Sequence, residues 1–120
     1  MNTGEKIVIA AVLLIFLLVA AGFLLSQAGG EPYFDDASPV MYFHSAACHF
    51  CQLQKPVLAE LAALGYRVKS MDVGSNPGYW QAYSVEGTPT FLAANGDRKV
   101  GLTQREELQA WLSAHGAKIK

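Results

Sequence analysis

The chain opens on a short polar start, Met1 to Lys6, followed by an apolar run from Ile7 to Leu25 in which no side chain is charged or strongly polar. As a helix rising about 1.5 Å per residue, such a run covers roughly the 30 Å hydrocarbon core of a bilayer, which predicts a transmembrane helix over 7–25 behind a short tail, 1–6. A cleaved signal peptide is the competing reading, because Ser26-Gln27-Ala28 has the small-x-small pattern of a cleavage site. Signal cores usually run about 7 to 15 residues behind a basic lead, whereas Lys6 here stands against Glu5, and this favours a retained anchor. The pattern then breaks over 26–39, where Gly29-Gly30, Pro32, Pro39 and the acids Glu31, Asp35 and Asp36 predict a linker. Within it, Pro32-Tyr33-Phe34 is apolar enough to lie either on the following domain or at a lipid interface.

From residue 40 onward the hydrophobic spacing alternates between two periods. Val40-Met41-Tyr42-Phe43 is a continuous apolar run suited to a strand buried on both faces. Cys51 to Leu64 carries Leu53, Val57, Leu58, Leu61 and Leu64 at helical spacing and is closed by Gly65. Pro56 falls inside that helix, where it removes one donor and is expected to kink it at a cost of about 3 kcal/mol. Tyr66, Val68, Ser70 and Asp72 alternate with Arg67, Lys69 and Met71 as a second strand. A turn at Gly74-Ser75-Asn76-Pro77-Gly78 leads to a short helix near Tyr79–Tyr83. Thr90–Ala93 is a third strand, Asn95-Gly96-Asp97 has hairpin chemistry, and Arg98–Gly101 returns as a fourth. Thr103 and Glu106 form a capping box for a last helix bearing Leu108, Trp111 and Leu112. The expected order is β-α-β-α-β-β-α over a single domain, 40–120, and no internal repeat interrupts it.

Composition narrows the function classes. The formal net charge is -1, from 9 Lys and Arg against 10 Asp and Glu, and the basic residues after the apolar run are interspersed with acids. That leaves no basic field for a nucleic-acid partner. The hydrophobic fraction of 52% is inflated by the apolar run and implies no unusually large core. Lys6 before that run, and acids after it, favour an orientation with the short tail in the cytoplasm, and the domain is expected in the periplasm or another extracytoplasmic space.

The 2 cysteines of the chain lie in Cys48-His49-Phe50-Cys51, directly after the first strand. A loop this short constrains an unfolded chain too little for a structural disulfide, so the pair reads as a redox couple. Zinc would need two further ligands, and only His44, His49 and His115 are on offer. Haem attachment needs a histidine after the second cysteine, where Gln52 stands. At a helix N-terminus the unpaired N–H groups favour a thiolate, in a pKa range of about 3.5 to 7.5, which assigns attack to Cys48 and resolution to the more enclosed Cys51. A protonated His49 would push the same way, and His49 and Phe50 together are expected to tune the potential. His44, after the first strand, is expected in a solvent-exposed loop in preference to a place near the thiols. Tyr79, Trp80 and Tyr83 are candidates for the substrate groove or for packing, and Lys69 and Asp72 for a place near the cysteine pair or for a solvated strand edge. Pro89, in Gly87-Thr88-Pro89-Thr90, suits a strand start because it cannot donate to a ladder, and on sequence alone a trans bond is the commoner state.

Taken in this order, strand, Cys-x-x-Cys, helix with Pro56, Asn76-Pro77-Gly78, Gly-Thr-Pro-Thr and closing amphipathic helix, the chain resembles the thioredoxin superfamily over residues 40 to about 115. The resemblance implies an α/β thioredoxin-like fold, a central mixed four-stranded sheet flanked by helices, here preceded by the transmembrane helix. It implies a cis Pro89 against the cysteine pair and a Thr88 whose backbone binds an extended substrate by strand addition. Departures from the pattern are Ala47 where many members have Trp, His49-Phe50 where they have Gly-Pro, and a first strand without the buried carboxylate of cytoplasmic reductants. Thr before the proline is similar to the periplasmic disulfide isomerases.

The expected function is thiol–disulfide exchange on cysteines of extracytoplasmic proteins by a membrane-anchored, single-pass oxidoreductase. It needs no metal or organic cofactor. Its partners would be proteins bearing thiols or disulfides, and a redox partner, plausibly a membrane protein, that resets the pair. The alternative is a non-catalytic thioredoxin-like module for binding or assembly in a membrane complex. A thiol peroxidase fits less well, since no Thr and Arg constellation accompanies Cys48.

Overall fold

A computed structural model describes the backbone of residues 3–28 and 30–120, with side chains for 3–17 and 30–120. The chain divides between Glu31 and Pro32 into two units. The first contains helix α1, Thr3–Ala28. Helix therefore begins inside the expected tail, at Thr3. Its described apolar side chains from Ile7 to Leu17 are exposed, Ile7 at 64% and Phe16 at 70%. Among the described residues no helix is long and apolar enough to cross a membrane. The side chains of the rest of the expected span, 18–25, and of the small-x-small site at 26–28 lie outside the described residues.

The second unit follows the expected order with β1 (Val40–His44), α2 (His49–Ala63), β2 (Lys69–Asp72), α3 (Tyr79–Ala82), β3 (Thr90–Ala93), β4 (Arg98–Val100) and α4 (Arg105–Ala114). The strands lie in the order β2-β1-β3-β4. β1 runs parallel to β2 and antiparallel to β3, and β3 pairs antiparallel with β4. The unbroken apolar composition of β1 follows from its central place. Val40 and Tyr42 face a core with Leu58 and Leu61 of α2 and Leu108 and Leu112 of α4. Phe43 faces the other side, with Met71, Val73, Val85 and Leu92, against which Tyr79 and Tyr83 of the α3 region pack.

Several expectations need correction. The folded unit starts at Pro32, so 32–39 is not linker: Tyr33 is buried, its carbonyl accepts from Val68 N–H at 2.8 Å, and Phe34 bridges Val68 in parallel. The aromatic pair thus lies on the domain. The β2 ladder is shorter than expected, because Tyr66 pairs instead with Lys118 and Val68 with Phe34. Leu53 and Leu64 are not in the α2 stripe. The buried face is Cys51, Gln54, Leu58, Leu61 and Ala62, while Leu53 is 46% exposed. No capping box forms on α4: Gln104 is the N-cap without a side-chain bond, and Thr103 turns inward. Gly101, expected in the fourth strand, has φ +87 and ends it, a conformation that glycine adopts without steric cost.

His44 is the last residue of β1 and half-buried, not a solvent-exposed loop residue. Its ring stacks on Phe34 and Tyr42, with centroids 5.2 and 5.0 Å away, and its Nε2 lies 2.8 Å from Ser70 Oγ. Burial pushes the imidazole below its ordinary value, against the opposing pull of Asp72 and with a small push from Lys55. Asp72 is half-buried as well, which raises its carboxyl. The Ser75 N–H and hydroxyl and the Gly74 N–H outweigh that burial, and the group lies below its usual value. Asp72 therefore caps the turn after β2.

At the opposite end of the sheet, His115 ties α4 to the β3–β4 hairpin. Its Nδ1 lies 2.7 Å from the Trp111 carbonyl and its Nε2 2.9 Å from Asp97 Oδ2. Both partners only accept, so the doubly protonated ring is the form that satisfies both bonds. Asp97 first, and the Trp111 carbonyl second, raise the histidine above its ordinary value, and the histidine in turn lowers Asp97. The stabilisation from His115 is complete below the unfolded histidine value of about 6.5 and is lost as pH rises through the higher folded value. That from Asp97 is complete above its unfolded value of about 3.9 and is lost as pH falls through the lower folded one. The melting temperature of the wild type, less that of His115→Leu, should therefore shrink from about pH 6 to 8. The lowered His44 contributes the opposite slope to both proteins and cancels. A difference that stays constant across this range would contradict the clamp.

Candidate functional site

The redox pair is placed by the joint between a buried strand and a helix. β1 ends at His44, Ser45–Ala47 turns the chain with Cys48 N–H donating to the Ser45 carbonyl at 3.3 Å, and α2 begins at His49. Cys48 is the N-cap, in extended conformation, and its sulfur accepts the Cys51 N–H at 3.0 Å. One of the donors orphaned by helix geometry is thereby satisfied by sulfur, where serine or aspartate oxygen more often serves. Cys48 and Cys51 form a disulfide with Cα atoms 5.2 Å apart. Cys48 is half-buried, while Cys51, one turn into the helix, is 1% exposed. Of the two cysteines, Cys48 is the more accessible.

Facing the pair is the loop before β3. The Thr88–Pro89 peptide bond is cis, as the resemblance implied and against the bare sequence prior. The Thr88 carbonyl oxygen lies 3.5 Å from Cys48 Sγ. Thr90 Oγ1 donates to the Gly87 carbonyl at 2.7 Å, closing the loop on its far side. Pro89 is buried and Thr88 half-buried. His49 and Phe50 take the outer side of the first turn of α2. Both are exposed, Phe50 at 55%, and their rings meet edge to face at 5.6 Å. Leu53, three residues on, continues that exposed apolar face.

The structure thus brings Cys48, Cys51, Thr88 and Pro89 into one site, with His49 and Phe50 at its rim. Sequence reasoning passed over Gln54, which the register of α2 turns inward and which is fully buried. The signal was available: a residue three positions after an enclosed cysteine shares its helix face.

An α/β domain with a Cys-x-x-Cys disulfide at the N-terminus of a helix, opposite a cis-proline, defines the class of thiol–disulfide oxidoreductases with thioredoxin fold. The model of the thioredoxin family matches residues 34–114, and the chain belongs to that family. Among solved structures it is similar to a variant thioredoxin from Halobacterium salinarum NRC-1, at 28% identity over 67% of this chain and 77% of that one, with a TM-score of 0.56. It is also similar to the thioredoxin Mala s 13 of Malassezia sympodialis, at 25% identity over 71% of this chain and 80% of that one, with a TM-score of 0.55. No curated protein sequence matches it. The family match begins at Phe34, within the segment that the sequence pattern assigned to the linker.

In the reduced protein the geometry should separate the two thiols sharply. With limiting iodoacetamide under non-denaturing conditions, Cys48 should be alkylated at least about tenfold faster than Cys51, because it is both accessible and at the helix N-terminus. Equal rates, read by peptide mass analysis, would show that the two sulfurs do not differ in environment.

Proposed function

We propose that this chain is a membrane-anchored thiol–disulfide oxidoreductase that acts on cysteines of proteins outside the cytoplasm. The observation that carries the reading is the position of Cys48, capping α2 with its sulfur and facing the Thr88 carbonyl, while its partner Cys51 is enclosed. In the reducing direction the Cys48 thiolate attacks one sulfur of a substrate disulfide. That S–S bond breaks, a mixed disulfide forms, and the first substrate sulfur leaves as a thiolate. Cys51, as thiolate, then attacks Cys48 Sγ, which forms the intramolecular disulfide and releases the second substrate thiolate. Two electrons pass from the dithiol to the substrate, and the substrate thiolates take up protons. In the oxidising direction a substrate thiolate attacks the Cys48–Cys51 disulfide and each step runs backward.

The other site residues take supporting roles in this reading. Thr88 offers its backbone to an extended substrate chain by strand addition, and Pro89 shapes that edge. His49 and Phe50 adjust the potential from the first turn of α2. No metal or organic cofactor enters the cycle. A redox partner must reset the pair, and a protein in the same membrane suits a tethered domain.

Anchoring draws support from α1, whose described apolar side chains from Ile7 to Leu17 are exposed. Lys6 ahead of the run favours a cytoplasmic N-terminus.

One experiment tests both parts. In cells carrying full-length Cys51→Ser, Cys48 should accumulate disulfide-linked protein adducts that dithiothreitol releases, that the Cys48→Ser/Cys51→Ser variant lacks, and that remain in the membrane pellet after alkaline carbonate extraction. Absence of adducts, together with no exchange between the wild type and glutathione, would favour a non-catalytic binding module. Adducts recovered in the soluble fraction would remove the anchor.

A further inference from the structure

A ring of contacts runs through the cysteine pair, and only part of it consists of the redox pair itself. Cys48 Sγ faces the Thr88 carbonyl at 3.5 Å. One residue on, the Pro89 carbonyl accepts from Gly101 N–H at 2.8 Å. The Gly101 carbonyl accepts from the Thr103 hydroxyl at 3.1 Å. Thr103 then pairs through both of its backbone groups with a single side chain: its N–H donates to Gln54 Oε1 at 2.9 Å, and its carbonyl accepts from Gln54 Nε2 at 2.9 Å. Gln54 belongs to α2, three residues after Cys51, and the helix carries the ring back to Cys51 and Cys48.

Gln54 has 0% exposure and Thr103 3%. A glutamine so deeply buried is tolerated because its amide is matched by a donor and an acceptor in fixed geometry. An apolar side chain of similar size would fill the space without fixing the separation between α2 and 101–103. Since Gly101 holds the Pro89 carbonyl, that separation also sets how far the proline loop stands from Cys48.

We infer that Gln54 is a positioning residue for polypeptide substrates, holding Cys48 at a fixed spacing from the Thr88–Pro89 edge. The inference rests on the exchange activity proposed above. A small disulfide meets only the Cys48 sulfur. A polypeptide must present its own sulfur to Cys48 and its backbone to Thr88 at the same time, so its reaction alone depends on the spacing.

The test uses the full-length chain in detergent, with insulin as the polypeptide disulfide and oxidised glutathione as the small one. For Gln54→Met, which removes both bonds to Thr103, KM for insulin should rise about fivefold to tenfold, while kcat and the rate with glutathione stay within about twofold. Gln54→Glu supplies a conservative rescue. Its protonated acid donates and accepts as the amide does, and burial favours that neutral form. Relative to wild type at the same pH, its KM for insulin should approach the wild-type value at about pH 5 and rise toward about pH 8. Equal losses with both substrates, or a lowered melting temperature with KM unchanged, would overturn the positioning role and leave exchange intact. A wild type inert toward both would overturn the exchange reading, and this inference with it.

Discussion

The N-terminus of α2 is the constraint around which the domain is arranged. A helix that begins next to a buried strand leaves its first N–H groups without partners, and here the Cys48 sulfur takes one of them, at 3.0 Å from Cys51 N. A partial positive field at that point favours a sulfur that can bear negative charge. The burial of α2 on its other face, through Leu58 and Leu61 against Tyr42 and Val40, fixes where that field points. The central position of β1, paired on both edges, prevents the joint between strand and helix from drifting. Packing energy spent on an ordinary core thus determines the electrostatic setting of two exposed-to-enclosed sulfurs.

Much of this was legible in the sequence, and for physical reasons. A continuous apolar run marks a strand covered on both faces, so β1 was identified within one residue of its observed extent. The cysteine spacing fixed both sulfurs on one turn, and the order of motifs brought Thr88 and Pro89 to them. Features set by tertiary partners were not legible. Gln54 looks like a surface residue until the buried face of α2 is known, and Thr103 looks like a cap until its backbone is seen to pair with that amide. His44 was misplaced because a polar residue after an apolar run resembles the start of a loop, whereas Phe34 and Tyr42 stack on it and Ser70 bonds it. Tyr33 and Phe34 were hidden by the prolines, glycines and acids around them, and composition over such a window says little about two aromatic rings.

The departures from the common thioredoxin pattern at Ala47, His49 and Phe50 lie on exposed positions beside the cysteine pair and leave the fold intact. His49 and Phe50 occupy exposed positions on the first turn, where substitution costs the core nothing. Tyr42, in the first strand, is buried and stacks with Phe91 at 4.8 Å, so that interior is filled by aromatic packing in a strand without a carboxylate. Burial raises its phenol above the ordinary value, with a smaller contribution from Tyr33.

The most direct measurement of the central claim is the midpoint potential of the Cys48–Cys51 couple, obtained by equilibrating the full-length chain with glutathione buffers and trapping the free thiols. A redox couple of this family should titrate within roughly -270 to -120 mV, the range spanned by thioredoxin and the strongly oxidising members. A potential below about -300 mV would instead describe a disulfide that resists reduction and serves the fold, and would contradict the account.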